Sequence, residues 1–344
     1  MRWAARNKRR NINCQHRENL IENTTTPARY QLNERAWAQV IELNSVSSPA
    51  PSTSPFETLK AEPSGPPPTR GSSGSATGEV SRSLRHLVVK GRGGPIALPF
   101  ETVIGRDERV RILDTDLVPW RMICALRMRG STGAGAIGTG WFIGPKTVIT
   151  AGHCVHHTHF FGGWASRIEV IPGLNGRGDE SDARPYGSVI SERFSSVDRW
   201  VDKEDADFDI GCIHLDEPLG VRVGWFAVAA LPPERLESFL VNVSGYPADR
   251  GAGAEQYHSR NRVLQVSERR LFYEVDTYGG QSGAPVWVHE DDDAPPLVVG
   301  IHAYGVGGTP ADMGITANSA PRIIPEVLEK LTEWVEQDGG WSNA

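Results

Sequence analysis

Asp276-Thr277-Tyr278-Gly279-Gly280-Gln281-Ser282-Gly283-Ala284-Pro285-Val286 sets one serine among glycines at the entry to an apolar run. A serine hydroxyl is a weak nucleophile at neutral pH, so chemistry there needs a base beside it and donors aimed where negative charge develops. Gly280 can take backbone angles closed to other residues, which would turn its N–H toward that of Ser282 and form an oxyanion hole. The same residues also suit a plain turn between strands, and the stretch alone does not decide between the two.

Two other segments supply the missing groups. Lys146-Thr147-Val148-Ile149-Thr150-Ala151-Gly152-His153-Cys154 reads as a β-branched strand running into a small-residue turn, which sets His153 at the mouth of a cleft. Asp205-Ala206-Asp207-Phe208-Asp209-Ile210-Gly211-Cys212-Ile213 offers three aspartates ahead of another apolar run. With Asp209 chosen, the chain order is His153, Asp209, Ser282, the order found in chymotrypsin-like double barrels. A nucleophile elbow of the α/β-hydrolase kind needs glycine two residues after the serine, and Ala284 stands there.

Short β-type runs recur between turns from Trp120 onward, at 121–128, 136–143, 147–150, 168–171, 210–215, 239–243, 262–266, 271–275, 284–288 and 297–302. No helical periodicity alternates with them, so the spacing predicts an all-β protein, barrel or sandwich. The triad order favours two six-stranded antiparallel β-barrels, with His153 and Asp209 on the first and Ser282 on the second. After Pro321, Ile323, Ile324, Val327, Leu328, Leu331, Trp334 and Val335 recur at helical spacing, predicting a C-terminal helix against the second barrel.

From about Thr102 onward the chain resembles the bacterial glutamyl endopeptidases, a branch of the chymotrypsin-like (trypsin-like) serine proteases. Val103-Ile104-Gly105 with Asp107-Glu108-Arg109-Val110, Gly140 to Thr147 with the His153 turn, Val223-Gly224-Trp225-Phe226, Ser244-Gly245-Tyr246-Pro247, the Ser282 stretch and Gly300-Ile301-His302 fall in that family's order. The resemblance implies a serine endopeptidase working through an acyl-enzyme, with protein or peptide substrates and no cofactor. In the family the aspartate directly precedes an apolar strand, which favours Asp209 over Asp205 and Asp207. His153 would be general base, Asp209 would orient it, and Gly280 with Ser282 would supply the oxyanion hole. The family's glutamate-binding histidine and threonine match His302 and Thr277. A carboxylate in a buried pocket needs such donors, and a protonated histidine would add charge. The family also uses the free amine of its mature N-terminus, here that of Thr102 or Val103. Glu101 precedes it, so an enzyme cutting after glutamate could release its own propeptide between Glu101 and Thr102.

The rest of the sequence bounds this reading. In 344 residues with a net charge of -6, phosphate-binding electrostatics are weak, so nucleic acid is not the expected partner. No run of 18 apolar residues suggests a membrane span. The basic segment 1–44 contains Lys8-Arg9-Arg10 with no apolar core behind it, unlike a secretory signal peptide. Residues 45–78 are dense in Ser, Pro and Gly and read as a disordered linker, 79–101 as the end of a propeptide, and 102–344 as the protease domain. Secreted relatives can bridge the cysteine after the histidine to a position near Gly138, so Cys154 lacks that partner; Cys14, Cys124 and Cys212 have no obvious match, and Cys212 is expected to be a buried thiol. The crowd of His153, Cys154, His156, His157 and His159 lacks a second ligand pair for zinc, and Asp291-Asp292-Asp293 reads as a hydrated loop, so no metal is expected. The chain is expected to act as a monomer. The competing reading is a non-cleaving module that kept the barrels but not the chemistry.

Overall fold

The β-branched and aromatic runs form strands whose hydrogen bonds are completed in two antiparallel sheets. The computed structural model describes residues 102–131, 133–176, 183–290 and 294–341, with the backbone of two short earlier strands. Apart from those strands, the segments 1–44, 45–78 and 79–101, Glu101, Cys14 and Asp291-Asp292-Asp293 lie outside the described residues.

In chain order the strands are β1 (Thr58–Lys60), β2 (Ile96–Ala97), β3 (Val110–Arg111), β4 (Ile123–Gly130), β5 (Gly135–Phe142), β6 (Thr147–Thr150), β7 (His156–His157), β8 (Gly163–Pro172), β9 (Val189–Ser191), β10 (Phe194–Val197) and β11 (Gly211–His214). There follow β12 (Ala227–Val228), β13 (Leu240–Gly245), β14 (Tyr257–Val266), β15 (Arg270–Tyr273), β16 (Pro285–Val288), β17 (Leu297–Ile301) and β18 (Asn318–Pro321). The first sheet runs β10-β11-β6-β5-β4-β8, with β1, β2, β7 and β9 as short additions. The second runs β17-β16-β13-β14-β15-β18, with β12 and β3 added. A bridge between Gly300 and Arg322 returns the end of β18 to β17 and closes the second sheet into a barrel. Among the described residues the first sheet keeps an open hydrogen-bonded path, so closure is seen there in one of the two expected barrels.

One apolar core joins the two sheets. Trp141 of β5 meets Phe226 edge-on at 5.9 Å, and Phe226 meets Trp287 of β16 at the same separation. All three are at most 1 % exposed, and each such ring buries on the order of 150–250 Å². Burying them holds the sheets face to face, and the cleft between them is where the predicted site residues fall.

Among the strands outside the predicted runs, β10 and β18 escaped the sequence pattern because their polar residues are satisfied internally. In β10, Ser196 Oγ donates to Ile210 O at 2.7 Å, and Ser195 Oγ lies 2.8 Å from His214 Nε2. In β18, Asn318 Nδ2 donates to Val275 O at 2.7 Å. The C-terminal helix, Pro325–Gln337, starts after Ile323 and Ile324 and docks differently from expectation. Trp341 Nε1 donates to Ile143 O at 2.9 Å, and Asp338 accepts from Thr147 Oγ1 at 2.7 Å while pairing with His214 at 2.9 Å. Its C-terminal end is therefore fastened to the first sheet rather than the second. Helical spacing reports which face is apolar and says nothing about the neighbour that covers it.

Candidate active site

β6 is buried along its whole length and delivers Ala151 into a single helical turn, Gly152–Val155. A side chain at Gly152 would begin 2.7 Å from the Trp200 ring, so only glycine lets that turn close. His153 follows, 1 % exposed, between Trp200 and Tyr304, each with its ring centroid 6.3 Å away.

The three competing aspartates separate by geometry. Asp205 caps the 3-10 turn Ala206–Phe208 and accepts from Arg199 at 2.7 Å. Asp207 is half-buried, and burial pushes its carboxyl up. Asp209 leaves that turn fully buried, with Oδ1 accepting from the His153 backbone N–H at 2.8 Å and Oδ2 at 2.7 Å from His153 Nδ1. Burial alone would push the His153 pKa down. The Asp209 charge and its hydrogen bond outweigh that and hold the imidazole well above its usual value.

Ser282 is brought to the same turn through its backbone. Its carbonyl accepts from Thr139 N of β5 at 2.9 Å, and the Cys154 thiol, next to His153, lies 3.6 Å from the same oxygen. Gly283 N donates to His302 O at 2.7 Å, anchoring the other side of the loop to the segment after β17. Two glycines make the loop possible. Gly280 has φ +107° and Gly283 φ +87°; Cβ atoms there would begin 2.5 Å from Tyr246 O and 2.1 Å from Thr150 Oγ1. Thr139 Oγ1 donates to Gly280 O at 2.8 Å and fixes the peptide ahead of Gln281.

Behind this loop lie Thr277 and His302, both fully buried. His302 Nδ1 is 2.6 Å from the Tyr273 hydroxyl, and burial together with the positive charge of His153 pushes His302 down to about 3. Thr277 Oγ1 and His302 Nε2 have no hydrogen-bond partner among the described residues. Thr102 arrives alongside: its carbonyl accepts from Asn318 Nδ2 at 2.6 Å and from Thr277 N at 3.4 Å.

Two residues went unnoticed in the sequence. Asp276, 2 % exposed, accepts from the backbone N–H groups of Ile104 and Glu108, each at 2.7 Å, and so ties the segment after Thr102 to the strand leading to Ser282. It stands inside the decisive stretch, but nothing local announces a contact with residues some 170 positions earlier. Tyr304 hydrogen-bonds to the Asp209 carboxylate; burial, then that charge and hydrogen bond, push its hydroxyl well up. Arg270, itself buried, lies 5.0 Å over the Tyr304 ring and holds it from behind.

The histidines beyond His153 take other roles. His156 packs edge-on against Trp164 at 5.1 Å, and His157 lies 3.7 Å from Glu204. Among the described residues no group of three or more His, Cys, Asp and Glu side chains could hold a metal ion. Cys124, Cys154 and Cys212 are buried free thiols, and a Cβ at Gly138 would begin 3.1 Å from Cys154 Sγ.

A two-sheet β-fold with a buried His–Asp pair beside a glycine-flanked serine defines the serine proteases of the chymotrypsin type, and the trypsin family profile matches residues 115–321. The chain belongs to this trypsin-like family and is a serine endopeptidase. It is 36 % identical to glutamyl endopeptidase of Bacillus licheniformis over 266 residues, covering 76 % of this chain and 77 % of that protein. It is 30 % identical over 262 residues to a Bacillus subtilis protein named extracellular metalloprotease, covering 76 % and 78 %. Among solved structures, a Glu endopeptidase in complex with MPD superposes with a TM-score of 0.56 at 25 % identity, over 67 % of this chain and 98 % of that one.

Proposed function

We propose that this endopeptidase cuts peptide bonds after glutamate, with Ser282 as nucleophile, His153 as general base and acid, and Asp209 as its orienting partner. The observation that carries the triad is the bracing of His153 by both oxygens of Asp209 on the turn against which the Ser282 backbone is held. In this reading Ser282 Oγ attacks the scissile carbonyl as its proton passes to His153, and the oxyanion is met by the N–H groups of Gly280 and Ser282. The raised His153 basicity lets the imidazole take that proton, and the imidazolium then delivers it to the leaving amine. Water repeats the cycle on the acyl-enzyme.

Preference for glutamate is supported by the two unpartnered buried groups. With the Tyr273 hydroxyl donating to His302 Nδ1, Nε2 carries the proton and is a donor, as is Thr277 Oγ1. His302 is then neutral at neutral pH in the empty enzyme, because burial has lowered it to about 3, so the expected charge is replaced by a neutral donor. A carboxylate arriving beside it would satisfy both groups and raise the histidine. If the chain is cut between Glu101 and Thr102, the new amine starts at the residue whose carbonyl Thr277 already holds, and adds a positive charge at the same wall. A panel of peptides differing only at P1 tests the reading: glutamate should lead by at least about a hundredfold in kcat/KM, since unpaired buried donors reject the wrong side chain. Equal turnover of Glu, Ala and Arg peptides would defeat it. N-terminal sequencing of active material should give Thr102 first, and active enzyme retaining Met1 would remove the processing step.

A further inference from the structure

A cavity of about 580 Å³ lies away from the His153–Asp209 pair, against the first sheet. Among the described residues its lining includes Arg127, Arg129, Arg167 and Arg184 but a single carboxylate, Glu169. Glu169 is engaged by Arg184 at 2.7 Å, and Arg127 donates to Gly253 O at 2.8 Å. Arg129 and Arg167 are exposed and stand directly opposite each other across β4 and β8, with no ion pair to a carboxylate among the described residues. Like charges directly opposite on a sheet repel, so the pair costs stability that a bound anion would offset.

Register relates this cavity to the cleft. Arg127 is the cross-strand partner of Ile137 on β5, and Arg129 that of Gly135, so these residues share one face of the sheet. Ile137 Cδ1 lies 3.2 Å from the Cβ position of Gly280 and 2.5 Å from that of Gly253. Ile137, itself buried, therefore packs beneath the oxyanion loop and places that loop next to the strand pair that carries the arginines. On the proposed reading of Thr277 and His302, the acyl half of a substrate would lie against the second barrel, which leaves the side of His153 and β5 for the leaving half. Gly135 lies two residues along β5 from Ile137, roughly 7 Å, which with the reach of the side chains sets the guanidinium groups about three extended residues past the scissile bond.

We propose that Arg129 and Arg167 form a subsite for a carboxylate side chain of the substrate, two to four residues past the cut on the leaving-group side. The enzyme would then select acidic sequence after the scissile bond as well as at it. This rests on the proposed reading of Ser282, Thr277 and His302. The test uses two peptides identical through a P1 glutamate and differing only in Glu or Gln at the third position after the cut, plus a short glutamyl anilide with nothing beyond the scissile bond. At low salt the acidic peptide should be favoured by about fivefold to tenfold in kcat/KM, and the preference should shrink below about twofold in about 0.5 M salt and in the Arg129→Gln, Arg167→Gln double variant. Anilide hydrolysis should be unchanged in that variant, and its Tm should not fall, because a repulsion has been relieved. Equal turnover of the two peptides with the anilide still cut would overturn the subsite alone, as would a preference that survives the double substitution. Failure of the wild-type enzyme to cut the anilide would overturn the reading beneath it and the subsite with it.

Discussion

Replacing Asp209 with asparagine removes one charge and almost no volume from a fully buried position, so it isolates what the carboxylate does to His153. In the native protein that carboxylate accepts from the His153 backbone at 2.8 Å and meets Nδ1 at 2.7 Å. An amide presents only one acceptor, and its NH2 group either opposes the backbone N–H or forces the imidazole into the tautomer whose Nε2 cannot serve Ser282 in the required sense. Loss of orientation and of imidazolium stabilisation in such a pair is worth about 10⁴ in kcat, or about 5.5 kcal/mol at 1.36 kcal/mol per decade. The pH profile gives an independent sign. The native His153 pKa lies well above its usual value, so kcat/KM, which needs the neutral base, should rise with pH through a point above about 6.5. In Asp209→Asn the largest influence opposing burial is lost, and the acidic limb of the residual activity should move to lower pH. Steady-state hydrolysis of a P1-glutamate peptide between pH 4 and 9 measures both effects. Activity within tenfold of native, or an acidic limb that stays in place, would refute the argument that Asp209 governs the base.

Three further outcomes follow from the same geometry. Tyr304→Phe deletes the hydroxyl on Asp209 while keeping the ring under Arg270, so kcat should fall by about tenfold with KM nearly unchanged; an equal rise in KM would mark Tyr304 as a substrate contact instead. His302 is depressed to about 3, so the unfolded chain binds a proton the folded one refuses as pH drops below about 6.5, and stability from this site is lost between there and about 3. His302→Gln should therefore unfold at lower pH than native enzyme relative to its own neutral stability, and identical acid-unfolding curves would contradict this. Gly283→Ala would force a side chain to within 2.1 Å of Thr150 Oγ1 at a φ of +87°, and should leave little folded protein by circular dichroism; a stable, active variant would show that the loop is not held as described.

The candidate site was more legible in the sequence than the scaffold that holds it. His153, Asp209 and Ser282 could be named because each sits beside a strongly β-forming run that fixes its place, and because their order along the chain is restrictive. The strands carrying them were found for the same reason. β10 and β18 were not, since Ser195, Ser196, Asn318 and Ser319 look like loop residues until their buried partners are known. Choosing among Asp205, Asp207 and Asp209 needed more than local pattern, because all three have turn-like surroundings and only tertiary packing brings one to an imidazole. Asp276 and Tyr304 act through contacts with residues far away in sequence, and the arginine pair of the further subsite depends on strand register, which side-chain alternation alone does not specify. The docking of the C-terminal helix was misread for a related reason, as an apolar stripe fits either barrel.

Active-site labelling reaches the core of the account most directly. Enzyme treated with a fluorophosphonate and digested for mass spectrometry should carry one adduct, on Ser282, with none formed by Ser282→Ala or by native protein whose His153 has been replaced with alanine. An adduct on another serine, or native enzyme that cuts peptides while remaining unlabelled, would contradict the assignment of Ser282 as the activated nucleophile.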